Sequence, residues 1–149
     1  MPTFSRVAPQ ELPMPLLLLA DPSEHHIATY LEGALCYLAS EQGQPVGACV
    51  LNVNRDGVLE LFNIAVAIET QAQGIGSALL EHVIADARAQ GYARIELGTG
   101  TFGHQLAFYQ RAGFRVESVI RDHFLDHYDE PIHERGIQHK DMLRLALTL

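Results

Sequence analysis

ELFNIAVAIETQAQGIGSALLEHVIADARAQG, residues 60–91, reads as a strand, a glycine-bearing turn and a helix. The strand starts at Val58 and runs to Ala67, rich in Val, Ile, Leu and Phe. Strict alternation puts Leu59, Leu61, Asn63 and Ala65 on one face, and Val58, Glu60, Phe62, Ile64 and Val66 on the other. Both faces are largely apolar, as in a strand covered on both sides. After the turn, Ile75, Leu79, Val83 and Ala87 recur at helical spacing with Leu80 and Ile84, while Glu81, Asp86 and Arg88 face away. Gly91 stands where a left-handed residue would end the helix. The first turn of such a helix has unpaired N–H groups at the positive end of its dipole, and glycines let phosphate oxygens approach them. Gly74-Ile75-Gly76-Ser77 has no G-K-[ST] ending and is not a P-loop; a third glycine and an acidic ribose ligand are also lacking, which argues against a dinucleotide fold.

Gln71-Ala72-Gln73-Gly74-Ile75-Gly76-Ser77-Ala78, preceded by Asn63-Ile64-Ala65-Val66, resembles the R/Q-x-x-G-x-G/A signature of the GNAT superfamily of acetyl-CoA-dependent N-acetyltransferases. A second block downstream, Gln105-Leu106-Ala107-Phe108-Tyr109-Gln110-Arg111-Ala112-Gly113-Phe114, is similar to that family's helix–strand junction. The resemblance covers Val46 to Val116, and the two ends by order of elements alone.

It implies a single α/β (α+β) domain over residues 1–149: a mixed, mostly antiparallel sheet of about seven strands with helices on both faces. It also implies acetyl-CoA as co-substrate and direct attack by an amine, of a small molecule or a peptide, in a ternary complex. The pantetheine arm would lie along the backbone of Ile64, Ala65 and Val66, with the Val66 N–H polarising the thioester carbonyl. The pyrophosphate would rest on N–H groups of Gln71, Ala72, Gln73, Gly74, Ile75, Gly76 and Ser77, with Gln71 where many relatives have Arg. Thr99 and Thr101, expected just past the next strand, would hydrogen-bond the pantetheine. Tyr109 would donate a proton to the leaving thiolate, a step uphill by roughly two kcal/mol from unperturbed pKa values of about 10 and 8.5. Glu60, expected on the strand face of Ile64 and Val66, would be the general base; the other reading is a Glu paired with a neighbouring Arg. A catalytically silent acyl-CoA sensor is the alternative function, and the presence of Tyr109 and Glu60 favours the enzyme.

The rest of the chain places the acceptor. Strand Thr3–Val7 is followed by one or two helical turns within Pro9–Ala20, then a helix capped by Asp21 with Pro22 at its first position, ending at Gly33. Tyr30 and the pair His25-His26 on that helix are candidate contacts to substrate, the other reading being solvated helix surface. Strands Ala34–Glu41, Gln44–Asn54 and the central strand form an antiparallel meander, and Ala93–Gly98 runs parallel to the last of these. A helix over Gly103–Ala112 and strands Phe114–Arg121 and Lys140–Leu147 complete the chain. The stretch between those two strands, Asp122 to Asp141, is rich in acids and histidines. It reads as a pocket for a cationic amine with Asp126, Tyr128, Asp129 and Glu130 as contacts, or equally as a solvated loop. His123 and His127 are spaced as metal ligands with Asp126 between them, but no H-E-x-x-H motif supports this and no metal is expected.

A formal charge of −8 argues against nucleic acid as a partner. Leu12 to Ala20 is too short and too broken by proline to span a membrane, and no signal peptide is expected. Cys36 and Cys49 read as buried free thiols, consistent with a reducing, cytoplasmic setting. Sheets of this kind often leave an edge strand and apolar patches available, which is compatible with a homodimer.

Overall fold

The structure is a computed structural model that describes all 149 residues. Strand β1 (Thr3–Val7) leads through a 3-10 turn (Pro9–Glu11) and the one-turn helix α1 (Met14–Leu17) to helix α2 (Glu24–Leu31). Strands β2 (Leu35–Glu41), β3 (Gln44–Val53) and β4 (Leu59–Val66) follow, then helix α3 (Ile75–Ala89), strand β5 (Arg94–Gly100) and helix α4 (His104–Arg111). Strand β6 (Arg115–Ile120), helix α5 (His123–His127), a hairpin of β7 (His133–Glu134) and β8 (Ile137–Gln138), and strand β9 (Met142–Thr148) end the chain.

Seven strands form one sheet in the order β1-β2-β3-β4-β5-β9-β6, and β4 with β5 is its parallel pair. The last strand enters between β5 and β6, so β6 becomes an edge whose residues are all exposed. One core lies under α3 and α4 and holds Leu51, Leu59, Leu61, Leu79, Val83, Leu97 and Leu145. The other lies under α1 and α2 and holds Leu16, Leu17, Ile27, Cys36, Val50 and Ala65. No helix is long and apolar enough to cross a membrane.

Strict alternation along β4 fails at one residue. Val50 pairs with Asn63 but Leu51 pairs with Leu61, so Phe62 is an extra residue, a β-bulge. The bulge inverts the faces: Leu59 and Leu61 join the α3 core, whereas Ala65 joins the α1–α2 core and Asn63 bonds to Leu17 and Tyr30 there. Ile64 and Val66 pack against the α3 core instead. Glu60 therefore does not share a face with Ile64 and Val66, contrary to the period-two reading.

Three local expectations are also corrected. The N-cap of α2 is Ser23, whose Oγ accepts from His26 N–H at 3.0 Å, and Asp21 is buried with other partners. β5 continues to Gly100, so Thr99 lies inside the strand. The stretch after β6 carries a short helix and a hairpin of its own rather than a plain loop.

Leu97 forms the last β4–β5 rung, opposite Leu61, and is completely buried. Leu97→Ala is expected to cost about 2–5 kcal/mol of stability in urea denaturation, from lost transfer energy and the cavity left behind; a cost below about 1 kcal/mol would show that the rung is not part of the rigid core.

Candidate active site

β4 and β5 pair from Leu59–Ile95 to Leu61–Leu97 and then separate, although β4 runs on to Val66 and β5 to Gly100. The separated ends leave backbone groups without a strand partner. Ala67 N–H donates to Val46 O at 2.8 Å, which makes Val66 and Gly47 a non-hydrogen-bonded pair. The N–H and C=O of Val66, and by the same alternation those of Ile64, turn away from β3 towards the gap. Ala65 turns its own towards Ala48 and is not available there. The Val66 carbonyl is taken by Gln71 Nε2 at 3.1 Å, leaving its N–H open.

A cavity of about 510 Å³ lies beside this edge, lined by Ile64, Ala65, Val66, the turn before α3 and residues of α4. Gly74 begins α3 in the left-handed region with φ +80°, a conformation that costs a side-chain residue strain. The first helical bond runs from Ala78 N–H to Gly74 O, so the N–H groups of Ile75, Gly76 and Ser77 are free for an anion. Gln71 is different: its N–H donates to Ile68 O and its side chain to Val66, so it braces the turn. Gln73 is exposed and does not line the cavity.

Tyr109 reaches this cavity from α4. Its ring packs on Phe108 and Phe114, with centroids 5.3 Å and 5.8 Å away, and the Phe114 N–H returns to the Tyr109 carbonyl. Burial, with a smaller contribution from Cys49, pushes the phenol well above its usual value. Tyr109 therefore remains a protonated donor at neutral pH, and no protein group takes its hydroxyl.

A second cavity, of about 460 Å³, opens on the α1–α2 side of the gap. The two cavities share Leu19, Ala20, Ile64, His104 and Gln105, so a group in one can meet a group in the other. One wall of the second is built around Asp21, whose side chain is almost wholly buried. Its carboxylate accepts from Ser23 N–H (3.2 Å), His26 Nδ1 (2.7 Å), Tyr30 Oη (2.9 Å) and Tyr128 Oη (3.3 Å). Burial alone would raise the carboxyl, but the bonds from His26, Ser23 and Tyr30 outweigh it and hold it below its usual value. Asn63 Nδ2 donates to Leu17 O and Tyr30 Oη, which ties the network to the bulged strand.

Glu60 and Arg144 form another wall, joined by two hydrogen bonds of 2.9 Å each. Glu60 also accepts from Asn54 Nδ2 at 3.1 Å. His139 stacks on Phe102 at 4.1 Å and lies 2.9 Å from Glu134 Oε1 through Nε2. It fits there because residue 100 is glycine; a Cβ at that position would lie 2.3 Å from the imidazole.

Of the acceptor contacts expected from sequence, Tyr128 lines this cavity and Tyr30 is buried behind its wall. Asp126, Asp129 and Glu130 are exposed and do not line it. Thr99 lines it, whereas Thr101 is exposed and reaches neither cavity. His123 and His127 pack ring against ring at 4.5 Å, and no cluster of three or more metal-ligating side chains is present. His26, named with His25 as a residue that could face substrate, lines the cavity; Asp21, Asn63, Phe124, His139 and Arg144 are not site candidates on sequence. Asn63 carried a signal, as the lone polar residue in the apolar run from Leu61 to Ile68.

A sequence profile of the acetyltransferase (GNAT) family matches residues 6–114. The uncharacterized N-acetyltransferase YvbK of Bacillus subtilis (strain 168) is 45% identical over 135 residues, which are 90% of this chain and 87% of that protein. The structure titled IAA acetyltransferase from Bacillus cereus ATCC 14579 superposes with a TM-score of 0.93 at 44% identity, covering 100% of both chains. A GNAT family acetyltransferase from Elizabethkingia anophelis, solved with acetyl-CoA bound, superposes with a TM-score of 0.93 at 40% identity, covering 99% of this chain and 98% of that one.

Burial, with smaller effects of His127, His26 and Arg144, holds the His123 imidazole down at about 4. The unfolded chain therefore binds a proton first between the ordinary value near ~6.5 and the folded value of about 4, so stability is full above that window and falls as pH drops through it. The expected outcome is a drop in Tm between about pH 7.5 and pH 5 that is smaller in His123→Gln; equal drops would show that His123 does not carry the effect.

Proposed function

The chain belongs to the GNAT family of acetyltransferases, which draw the acetyl group from acetyl-CoA, and on that premise we propose that it transfers the group to a primary amine by direct attack in a ternary complex. What carries the reading is the pair of cavities meeting at Leu19, Ala20, Ile64, His104 and Gln105 where β4 and β5 part.

Acetyl-CoA takes the cavity beside α3. Its pyrophosphate rests on the free N–H groups of Ile75, Gly76 and Ser77, and its pantetheine arm adds to the edge left open at Ile64 and Val66. The Val66 N–H donates to the thioester oxygen and stabilises the negative charge that builds there during attack. The amine comes through the other cavity. Its nitrogen forms the bond to the carbonyl carbon, the C–S bond breaks, and the thiolate leaves with a hydrogen bond from the Tyr109 hydroxyl. The raised pKa of Tyr109 keeps the proton on the phenol, and the thiolate is protonated by solvent on release. Holding both reactants at one gap supplies the proximity on which direct transfer depends.

The amine must lose a proton. Glu60 is clamped by Arg144 in a two-bond ion pair, and this arrangement suits a structural role better than a base. His26 lines the acceptor cavity with its Nδ1 2.7 Å from Asp21, and with the Nδ1 proton given to that carboxylate its Nε2 is our candidate to take the amine's proton.

Purified protein, acetyl-CoA and a panel of amines, with products read by mass, tests the transfer. Released CoA can also be followed with a thiol reagent, because Cys36 and Cys49 are buried and burial pushes the Cys36 thiol up to about 11. Tyr109→Phe is expected to lower kcat by about 100-fold while leaving the Kd for acetyl-CoA within about twofold. An unchanged kcat would remove Tyr109 from the chemistry.

A further inference from the structure

We infer that the acceptor is a small primary monoamine with an aromatic or branched apolar body and no second charged group. This rests on the acetyl-transfer reading and narrows it. Every charged side chain in the acceptor wall is already paired within the protein. Asp21 accepts four hydrogen bonds, and Glu60 is held by Arg144. Glu134 faces His139, and Arg144 spends itself on Glu60 and Glu96. A second ammonium would meet only carboxylates that already have partners, and a carboxylate on the acceptor would meet a guanidinium already shared by Glu60 and Glu96. Either would be desolvated without a partner of its own, which is costly.

The acids that sequence offered for a cationic substrate, Asp126, Asp129 and Glu130, face solvent. The residues of that segment that line the cavity are His123, Phe124, Tyr128, Ile132, His133, Glu134 and His139, and Phe62, Phe102 and Met142 add apolar surface to it. Two buried side-chain polar atoms in the molecule have no partner, Asn63 Oδ1 and His139 Nδ1, and both residues line this cavity. Asn63 spends its N–H groups on Leu17 and Tyr30, so its unpaired Oδ1 is an acceptor. The wall lacks N–H donors from the ligand, which an amine supplies and a carboxylate does not.

A polypeptide acceptor fits less well. An extended chain can add to a free strand edge; that of β4 is committed to pantetheine, and the remaining free edges, β1 and β6, are the outer strands of the sheet. The backbone of residues 122–141 bonds within itself, through Phe124 N–H to Lys140 O and His139 N–H to Ile132 O. At about 460 Å³ the cavity is of small-molecule size.

The test measures kcat/KM at saturating acetyl-CoA for 2-phenylethylamine, phenylalanine, spermidine and a hexapeptide with a free N-terminal alanine. Phenylethylamine is expected to exceed each of the others by about 100-fold or more, since phenylalanine differs from it by one unpaired charge. Spermidine or the peptide as best acceptor overturns this inference and leaves acetyl transfer standing. Acetyl-CoA binding without transfer to any of the four also overturns it, and no binding of acetyl-CoA overturns the function on which it rests. Ile132→Asp, checked for folding by circular dichroism, adds an unpaired carboxylate to the wall. It is expected to move the preference between phenylethylamine and 1,3-diaminopropane towards the diamine by about tenfold; a folded variant with no such move overturns the charge argument.

Discussion

The extra residue at Phe62 is the constraint on which the site depends. A sheet strand keeps its hydrogen-bond register only while both partners advance in step, and the bulge breaks that step in the middle of β4. Before it, β4 pairs with β5 and faces its leucines to α3. After it, β4 holds to β3 alone, and its free edge carries donors and acceptors that a ligand can use. The same inversion turns Asn63 and Ala65 towards α1 and α2. The inserted residue thus lies where β4 and β5 part, beside backbone groups without a strand partner and the second cavity that Asn63 lines.

Burying charge beside such a gap is tolerable because each charge is matched. Asp21 would be costly in a half-buried wall on its own, but four donors from two segments far apart in sequence converge on it. The Glu60–Arg144 pair, with Asn54 and Glu96 around it, serves the opposite wall. These networks fix side-chain positions more than they add stability, since a buried ion pair roughly offsets its own desolvation. A lining whose charges are held by hydrogen bonds keeps its shape.

The elements that line the cavity beside α3 were largely legible in the sequence. Strand, glycine turn and helix are local features, and the block around Tyr109 is a second local feature, so periodicity and the family likeness found both. What escaped was non-local. The bulge leaves no mark in an apolar run, and reading Glu60 by strict alternation put it on the wrong face. Its partner Arg144 is 84 residues away and belongs to a strand inserted between two others. Asp21 next to Pro22 has the pattern of a helix cap, but Ser23 caps α2 and frees Asp21 for Tyr30, His26 and Tyr128. Gln71 was read as facing phosphate, yet its amide closes on Val66. Composition misled in the last loop, because counting acids does not show which way they point.

The backbone–backbone hydrogen bonds of the segment between β6 and β9 run within the segment, which meets the rest of the fold through side chains such as Tyr128, Glu134 and His139. Neither the sheet nor the coenzyme edge relies on its main chain. Descendants of this gene could therefore exchange or lengthen that segment wholesale, acquiring new substrates while inheriting the catalytic half intact. Natural variation in the lineage should accordingly concentrate there, and laboratory diversification of specificity is best aimed at the same twenty or so residues.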